Sequence, residues 1–355
     1  MLRPLKLLDM QLNKKMIKVL MTGAGAPGGP GIIKGIQKDS NIDLIVADFN
    51  PEASGKFLND KFEQVLSADD PEFIPDLLKI CIKNQIDIVF PLVTKELFKL
   101  SKEKKIFSDH GIKIVVSDYE SLKVANDKSA LYNHLKLKNI LTPDFRVAKT
   151  FTQVIEAFEQ LGYPEKPICI KPSISNGSRG VRIIDNSIDE FDLLFNYKPN
   201  SLYMTFDKLK EIIIDKEFPE LLISEVLPGD EYTIDTIVSK GKAEIILPRK
   251  RNKMNDGISV AGSFQDNKEI INYCKEIIDS LDLDGPIGLQ VKKSTTGVFK
   301  ILEINPRIQG TSIAALGLGV NLPLLSIYNA LGEIIKMPNV NWDTNFIRYY
   351  NEIFY

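Results

Sequence analysis

From Met16 onward, short apolar runs alternate with segments of helical periodicity. The runs at 16–22, 42–49, 86–93 and 112–117 read as strands. Residues 71–84 and 95–107 space their apolar side chains three and four apart, as amphipathic helices do. Strands that are apolar along their whole length, separated by helices, predict a parallel sheet covered on both faces. A ligand crevice in such a sheet lies at the carboxyl ends of its strands. Residues 1–15 are mildly basic, with too short an apolar stretch for a signal peptide, and are expected to be a disordered leader.

Past about residue 120 the pattern changes. Helices are expected at 126–139 and 152–162, and strands at 144–149, 167–172 and 181–185, with a small-residue loop at 173–180. The segment 186–220 holds helical stretches, and 221–227 is a strand. Residues 232–250 read as two strands about the turn Ser239-Lys240-Gly241-Lys242, followed by a polar loop and a helix near 267–280. A second hairpin turns at Ser294-Thr295-Thr296-Gly297. Antiparallel hairpins mixed with helices make this an α+β unit. The organisation is thus a Rossmann-like domain at 16–120 and an α+β domain at 121–340, whose parts meet near 225. The aromatic tail 341–355 is a closing strand or an oligomer contact.

Composition narrows the chemistry. The 355 residues carry 45 Lys+Arg against 47 Asp+Glu, a formal charge of −2, and 44% are hydrophobic. Two or three compact units with real cores fit that length. The balance argues against a broad basic surface for nucleic acid, and no stretch is apolar enough to span a bilayer. Cys81, Cys169 and Cys274 are far apart, which excludes a disulfide scaffold or thiolate zinc site and suits a reducing compartment. With His110 and His134 the only histidines, chemistry must rest on carboxylates, amides, Lys, Arg and a metal held by oxygen.

Four groups of residues stand out. Gly23-Ala24-Gly25-Ala26-Pro27-Gly28 matches GxGxxG after a strand, with Asp48 about twenty residues on; a dinucleotide site and a mere turn are equally good readings. Lys171 ends an apolar strand beside a loop containing Gly177, Ser178 and Gly180, which suits polyphosphate. Glu225-Val226-Leu227 offers main-chain groups to a flat base, and Glu231 can accept from ribose hydroxyls. Glu303 and Asn305 stand two apart on one strand, with Gln290 expected opposite Ile301 and diagonal to Glu303. Three oxygen-bearing side chains on one face suit Mg²⁺ shared with phosphates, and Arg307 follows within reach of a transferring phosphoryl group. Arg249 and Arg251, also two apart, are either a clamp for a substrate carboxylate or an exposed basic strand end.

Lys128, Lys171 with its SNGSRG loop, EVLPGDE, and Gln290 with Glu303-Ile304-Asn305-Pro306-Arg307 together resemble the ATP-grasp superfamily. The similarity extends over 16–335 and is to the carbamoyl-phosphate synthase large-subunit branch and its amino-acid ligase relatives. The resemblance implies a pre-ATP-grasp domain followed by an ATP-grasp domain of two α+β parts. It implies that Lys128 and Lys171 hold nucleotide phosphates under the loop of Gly177 and Ser178. Glu225, Val226 and Leu227 would flank adenine, and Glu231 would bind ribose. Gln290, Glu303 and Asn305 would ligate two Mg²⁺ ions, replaceable by Mn²⁺. Near the reacting groups it places Arg307 and Lys171, and the clamp reading of the 249–251 pair adds Arg249 as a catalytic candidate. The resemblance further implies a cytoplasmic ligase, commonly a homodimer, in which ATP activates a small-molecule carboxylate as an acyl phosphate that an amine opens. Residues 23–31 then line the acceptor side and hold no NAD. Ile308-Gln309-Gly310 and Gly257-Ile258-Ser259 depart from the synthase pattern, which puts bicarbonate second as substrate. An NAD(P)-binding protein and a non-catalytic nucleotide-binding regulator are the readings from other classes.

Overall fold

A computed structural model describes residues 16–355 except 176, 178, 198–201 and 256. The leader 1–15 and Ser178 therefore lie outside the described residues. The first sheet has five parallel strands in the order Phe62–Gln64, Ile42–Asp48, Ile17–Thr22, Ile88–Pro91, Lys113–Ile114. The edge strand Phe62–Gln64 is absent from the sequence reading because three half-exposed residues carry no apolar run.

The two faces of this sheet are covered differently. Phe73, Leu77, Leu97, Leu100 and Phe107 from the following helices close one face. On the other, Ile32, Ile33 and Ile36 of the helix Gly29–Ile36 share a core with Ile237, Leu247, Ile308 and Ile327 from the second half of the chain. At roughly 1.5–3 kcal/mol per fully buried aliphatic side chain, that shared core fixes the first domain against the second. Lys113 Nζ donates to the Ala330 carbonyl at 2.9 Å and Ser117 Oγ to that of Asp284 at 2.8 Å across the same joint.

The rest of the chain builds two sheets. Five strands run in the order Phe145–Ala148, Leu221–Glu225, Ile168–Pro172, Arg182–Ile184, Tyr203–Met204. Six more run in the order Phe299–Asn305, Gly285–Lys293, Glu231–Ser239, Lys242–Asn255, Ile258–Phe264, Asn345–Ile347. Lys240 and Gly241 both have positive φ (50° and 75°), as a two-residue hairpin requires. The polar loop expected after residue 250 is instead strand: Lys242–Asn255 continues through it and pairs with Ile258–Phe264. Its last residues are exposed, so they carry charge where an apolar alternation would have betrayed a strand. Asn345–Ile347 makes the tail a sixth strand, and Tyr355 stacks on Phe57 with ring centroids 4.1 Å apart. Among the described residues no single helix is long and apolar enough to cross a membrane.

Candidate active site

A cavity of about 490 Å³ opens between the second and third sheets and the carboxyl end of the parallel one. Gln290, Glu303, Asn305 and Arg307 all line it. The register differs from the expected one: Gln290 sits directly opposite Glu303, and Ile301 faces Val291. The shift is two residues: the hairpin loop is one residue longer than expected, pairing Lys293 with Phe299, and a β-bulge between Gln290 and Val291, with Leu302 as the extra residue, adds the second. Buried Ile301 and Ile304 both face the core, while Leu302 and Glu303 both face the cavity. The bulge brings the three oxygen-bearing side chains closer than a regular ladder would. Gln290 Nε2 donates to Glu303 Oε1 at 3.0 Å and Asn305 Nδ2 donates to the same oxygen at 3.2 Å.

Two ammonium groups face this trio. Asp127 caps the helix Lys128–Leu137, accepting from the amides of Ser129 (2.9 Å) and Ala130 (3.0 Å), and so sets Lys128 in the first turn. Lys128 Nζ lies 3.5 Å from Glu303 Oε2 and donates to the Ser175 carbonyl of the glycine loop at 3.1 Å. Lys171, 5% exposed at the end of its strand, donates to the Tyr132 hydroxyl and the Leu302 carbonyl, each at 3.2 Å. Burial pulls both ammonium groups below the ordinary lysine range, and Lys171 adds repulsion at Lys128. Two desolvated cations sharing one carboxylate form a site that an anion stabilises. Gly177, with φ of 63°, shapes the loop above them.

On the far side, Glu225, Val226 and Leu227 line the cavity with the apolar Val181 and Ile183. The strand ends at Glu225, so Val226 and Leu227 are linker backbone. Glu225 Oε1 accepts from the Asp144 amide at 2.9 Å and pairs with Lys300. Glu231 pairs with Arg251, whose Nη1 also reaches Gln290 Oε1 at 3.3 Å.

The two arginines of the 249–251 pair part company here. Arg251 lines the cavity, whereas Arg249 is 0% exposed behind its wall. Arg249 donates to Asp235 Oδ2 from Nε (3.3 Å) and Nη2 (3.1 Å) and to Thr311 Oγ1 at 2.8 Å, and lies 5.3 Å from the Phe346 ring. The expectation that Arg249 clamps substrate is therefore corrected, as is the exposed strand end. The physical reason is a neighbour on the adjacent strand: buried Asp235 claims the guanidinium of Arg249.

The parallel-sheet domain supplies the remaining wall. Arg307 Nε donates to Thr94 Oγ1 of that domain at 3.0 Å, and Nη1 donates to the Ile308 carbonyl at 2.8 Å. Pro27 and Gly28 of the first glycine loop line the cavity, and a Cβ on Gly28 would lie 2.3 Å from the Gly310 Cα. Asp48 is buried and accepts from the amides of Gly25 (2.8 Å) and Asn50 (2.9 Å). Both of its oxygens thus organise the loop. The dinucleotide reading, in which Asp48 meets a ribose, is corrected on that ground.

The trio fits a hard divalent cation. All three side chains carry oxygen, and the amides of Gln290 and Asn305 present oxygen or nitrogen by rotation of a terminal torsion. One carboxylate with two amides leaves positions for phosphate oxygens. Among the described residues no cluster of three or more His, Cys, Asp or Glu offers a competing site. Among the residues that escaped the sequence reading are Lys292 and Arg348, which line the cavity, and Thr94, which accepts from Arg307. Lys292 stands two after Gln290 on one strand, a period-two signal that was available. Thr94 and Arg348 carried no such signal, being placed by folding from distant parts of the chain.

Residues 217–351 match the model of a family described as ATP-grasp in the biosynthetic pathway with Ter operon, and residues 19–115 match the PylC-like N-terminal domain. By the first of these matches, residues 217–351 are similar to the ATP-grasp superfamily. Within it, homologues include the carbamoyl phosphate synthase large chain of Pseudothermotoga lettingae, 22% identical over 89% of this chain and 28% of that protein. The chain spans less than a third of the length of the curated relatives it matches. Among solved structures, the ADP complex of N5-carboxyaminoimidazole ribonucleotide synthetase (purK) superposes with a TM-score of 0.70 at 16% identity, covering 92% of this chain and 79% of that one. L-amino acid ligase from Bacillus licheniformis gives 0.61 at 15% identity, covering 90% and 75%. The fold class is thus a Rossmann-like domain followed by an ATP-grasp domain.

Proposed function

We propose that this protein is a Mg-ATP-dependent ligase that activates a small-molecule carboxylate and joins it to an amine. The observation that carries the reading is the convergence of Gln290, Glu303 and Asn305 with Lys128, Lys171 and Arg307 around one cavity. A divalent cation held by the trio would neutralise phosphate charge. Lys128 and Lys171 would bind phosphate oxygens, with Gly177 in the loop above them. Glu225, Val226 and Leu227 would flank the base, and Glu231, paired with Arg251, would take the ribose. Arg307 would hold the carboxylate against the γ-phosphoryl group.

The chemistry needs no enzyme nucleophile. A carboxylate oxygen attacks the γ-phosphorus, the bond to the β-phosphate oxygen breaks, and ADP leaves. The amine nitrogen then attacks the acyl carbon, the carbon–oxygen bond to phosphate breaks, and the nitrogen loses its proton to water. The obstacle is repulsion between two anions. At ~4 Å and an effective dielectric of ~20, each cation placed between them contributes about 4 kcal/mol, so Lys171 and Arg307 together offset much of it.

The test is a screen for ADP and phosphate release over pairs of acids and amines, with bicarbonate as one of the acids. Release that requires both an organic acid and an amine is the expected result. Release with bicarbonate alone would replace this reading with carbamoyl-phosphate-synthase-like chemistry, the alternative favoured by the homologues.

A further inference from the structure

The ligase reading gives Arg348 no task. Arg348, just past the tail strand, lines the same cavity as Arg307, beside the first glycine loop. Its position is fixed at both ends. The backbone amide donates to the Val260 carbonyl at 2.7 Å, and guanidinium Nη2 donates to the Pro27 carbonyl at 2.9 Å. Among the described residues its guanidinium forms no ion pair, in contrast to Arg249 and Arg251 beside it. Pro27, Leu92, Ile258 and Ile308 give the same cavity an apolar share of its lining. A guanidinium held on the lining of that cavity and lacking a carboxylate is an anion-recognition point with planar, forked donors.

Resting on the ligase reading, we infer that Arg348 determines acceptor specificity: the amine substrate carries its own carboxylate, as an amino acid does, and Arg348 pairs with it. The chemistry of the reaction gives the reason. A free carboxylate on the acceptor competes with the donor acid for Arg307 and for the γ-phosphorus. Pairing it with a second arginine leaves Arg307 to the donor acid. It also points the amine inward. Arg307 thus serves the acid that reacts and Arg348 the acid that must not. Because Pro27 holds Arg348, the glycine loop that resembles a dinucleotide fingerprint acquires a purpose: it orients a recognition arginine.

The test compares amino acids with their carboxamides as acceptors, at a fixed saturating donor acid, using full-length wild type, Arg348→Gln and Arg348→Lys. Wild type is expected to favour each accepted amino acid over its carboxamide by at least tenfold in kcat/KM. Arg348→Gln should shrink that preference below threefold by raising KM for the amino acid, leaving the carboxamide values and the ADP Kd within twofold. Arg348→Lys should restore part of the preference. A wild type indifferent to the carboxylate, or an Arg348→Gln variant that keeps the full preference, would overturn the inference while leaving the ligase reading in place. A wild type that releases no ADP with any acid and amine would overturn both.

Discussion

Glu303→Gln is expected to lower ADP release by at least about 10²-fold while leaving the fold unchanged, with a thermal midpoint close to that of wild type. The side chain is 29% exposed and faces the cavity, so an isosteric amide costs little in packing. Its carboxylate is the shared acceptor of Gln290 and Asn305 and the partner of Lys128. Replacing it removes the one full negative charge of the trio. The cation loses its strongest ligand, and Lys128 is left desolvated beside Lys171 with less to compensate it. Turnover within threefold of wild type would remove Glu303 from the metal site.

Asp235→Ala carries the largest expected cost in stability, about 3–5 kcal/mol, read as a fall in the urea midpoint. Asp235 is 2% exposed and accepts from Arg249, from Gln309 Nε2 at 3.2 Å and from Ser312 Oγ at 2.6 Å. Truncation strands a guanidinium that is 0% exposed, with Nη1 already lacking a partner. Since Gln309 and Thr311 line the cavity, the same network braces the segment after Arg307. The double variant Asp235→Leu with Arg249→Met removes both charges and is expected to recover most of the loss, because paired buried charges exchange for apolar groups at small net cost. A loss below 1 kcal/mol for Asp235→Ala, or no recovery in the double variant, would contradict this account.

How much of this was legible in the chain depended on whether a signal was local. The parallel strands were plain because each is buried on both faces and so apolar throughout. The grouping of Gln290, Glu303 and Asn305 was legible because two of its members are two apart on one strand. Register was not: a longer hairpin loop and a bulge at Gln290 have no periodic signature, and together they turned a diagonal contact into a direct one. Arg249 and Arg251 look equivalent by spacing, yet a buried Asp235 fourteen residues upstream claims one and leaves the other to the cavity. Thr94 and Arg348 meet Arg307 and Pro27 only through the shared core between the domains, which no local pattern encodes.

The account stands on one physical proposition, that Gln290, Glu303 and Asn305 hold a cation which carries the nucleotide to Lys128 and Lys171. Calorimetric titration of wild type with a non-hydrolysable ATP analogue tests it most directly, once with magnesium and once with EDTA. The prediction is saturable binding of one nucleotide with magnesium and at least tenfold weaker binding without it. A flat trace, or equal affinity in both buffers, would contradict it.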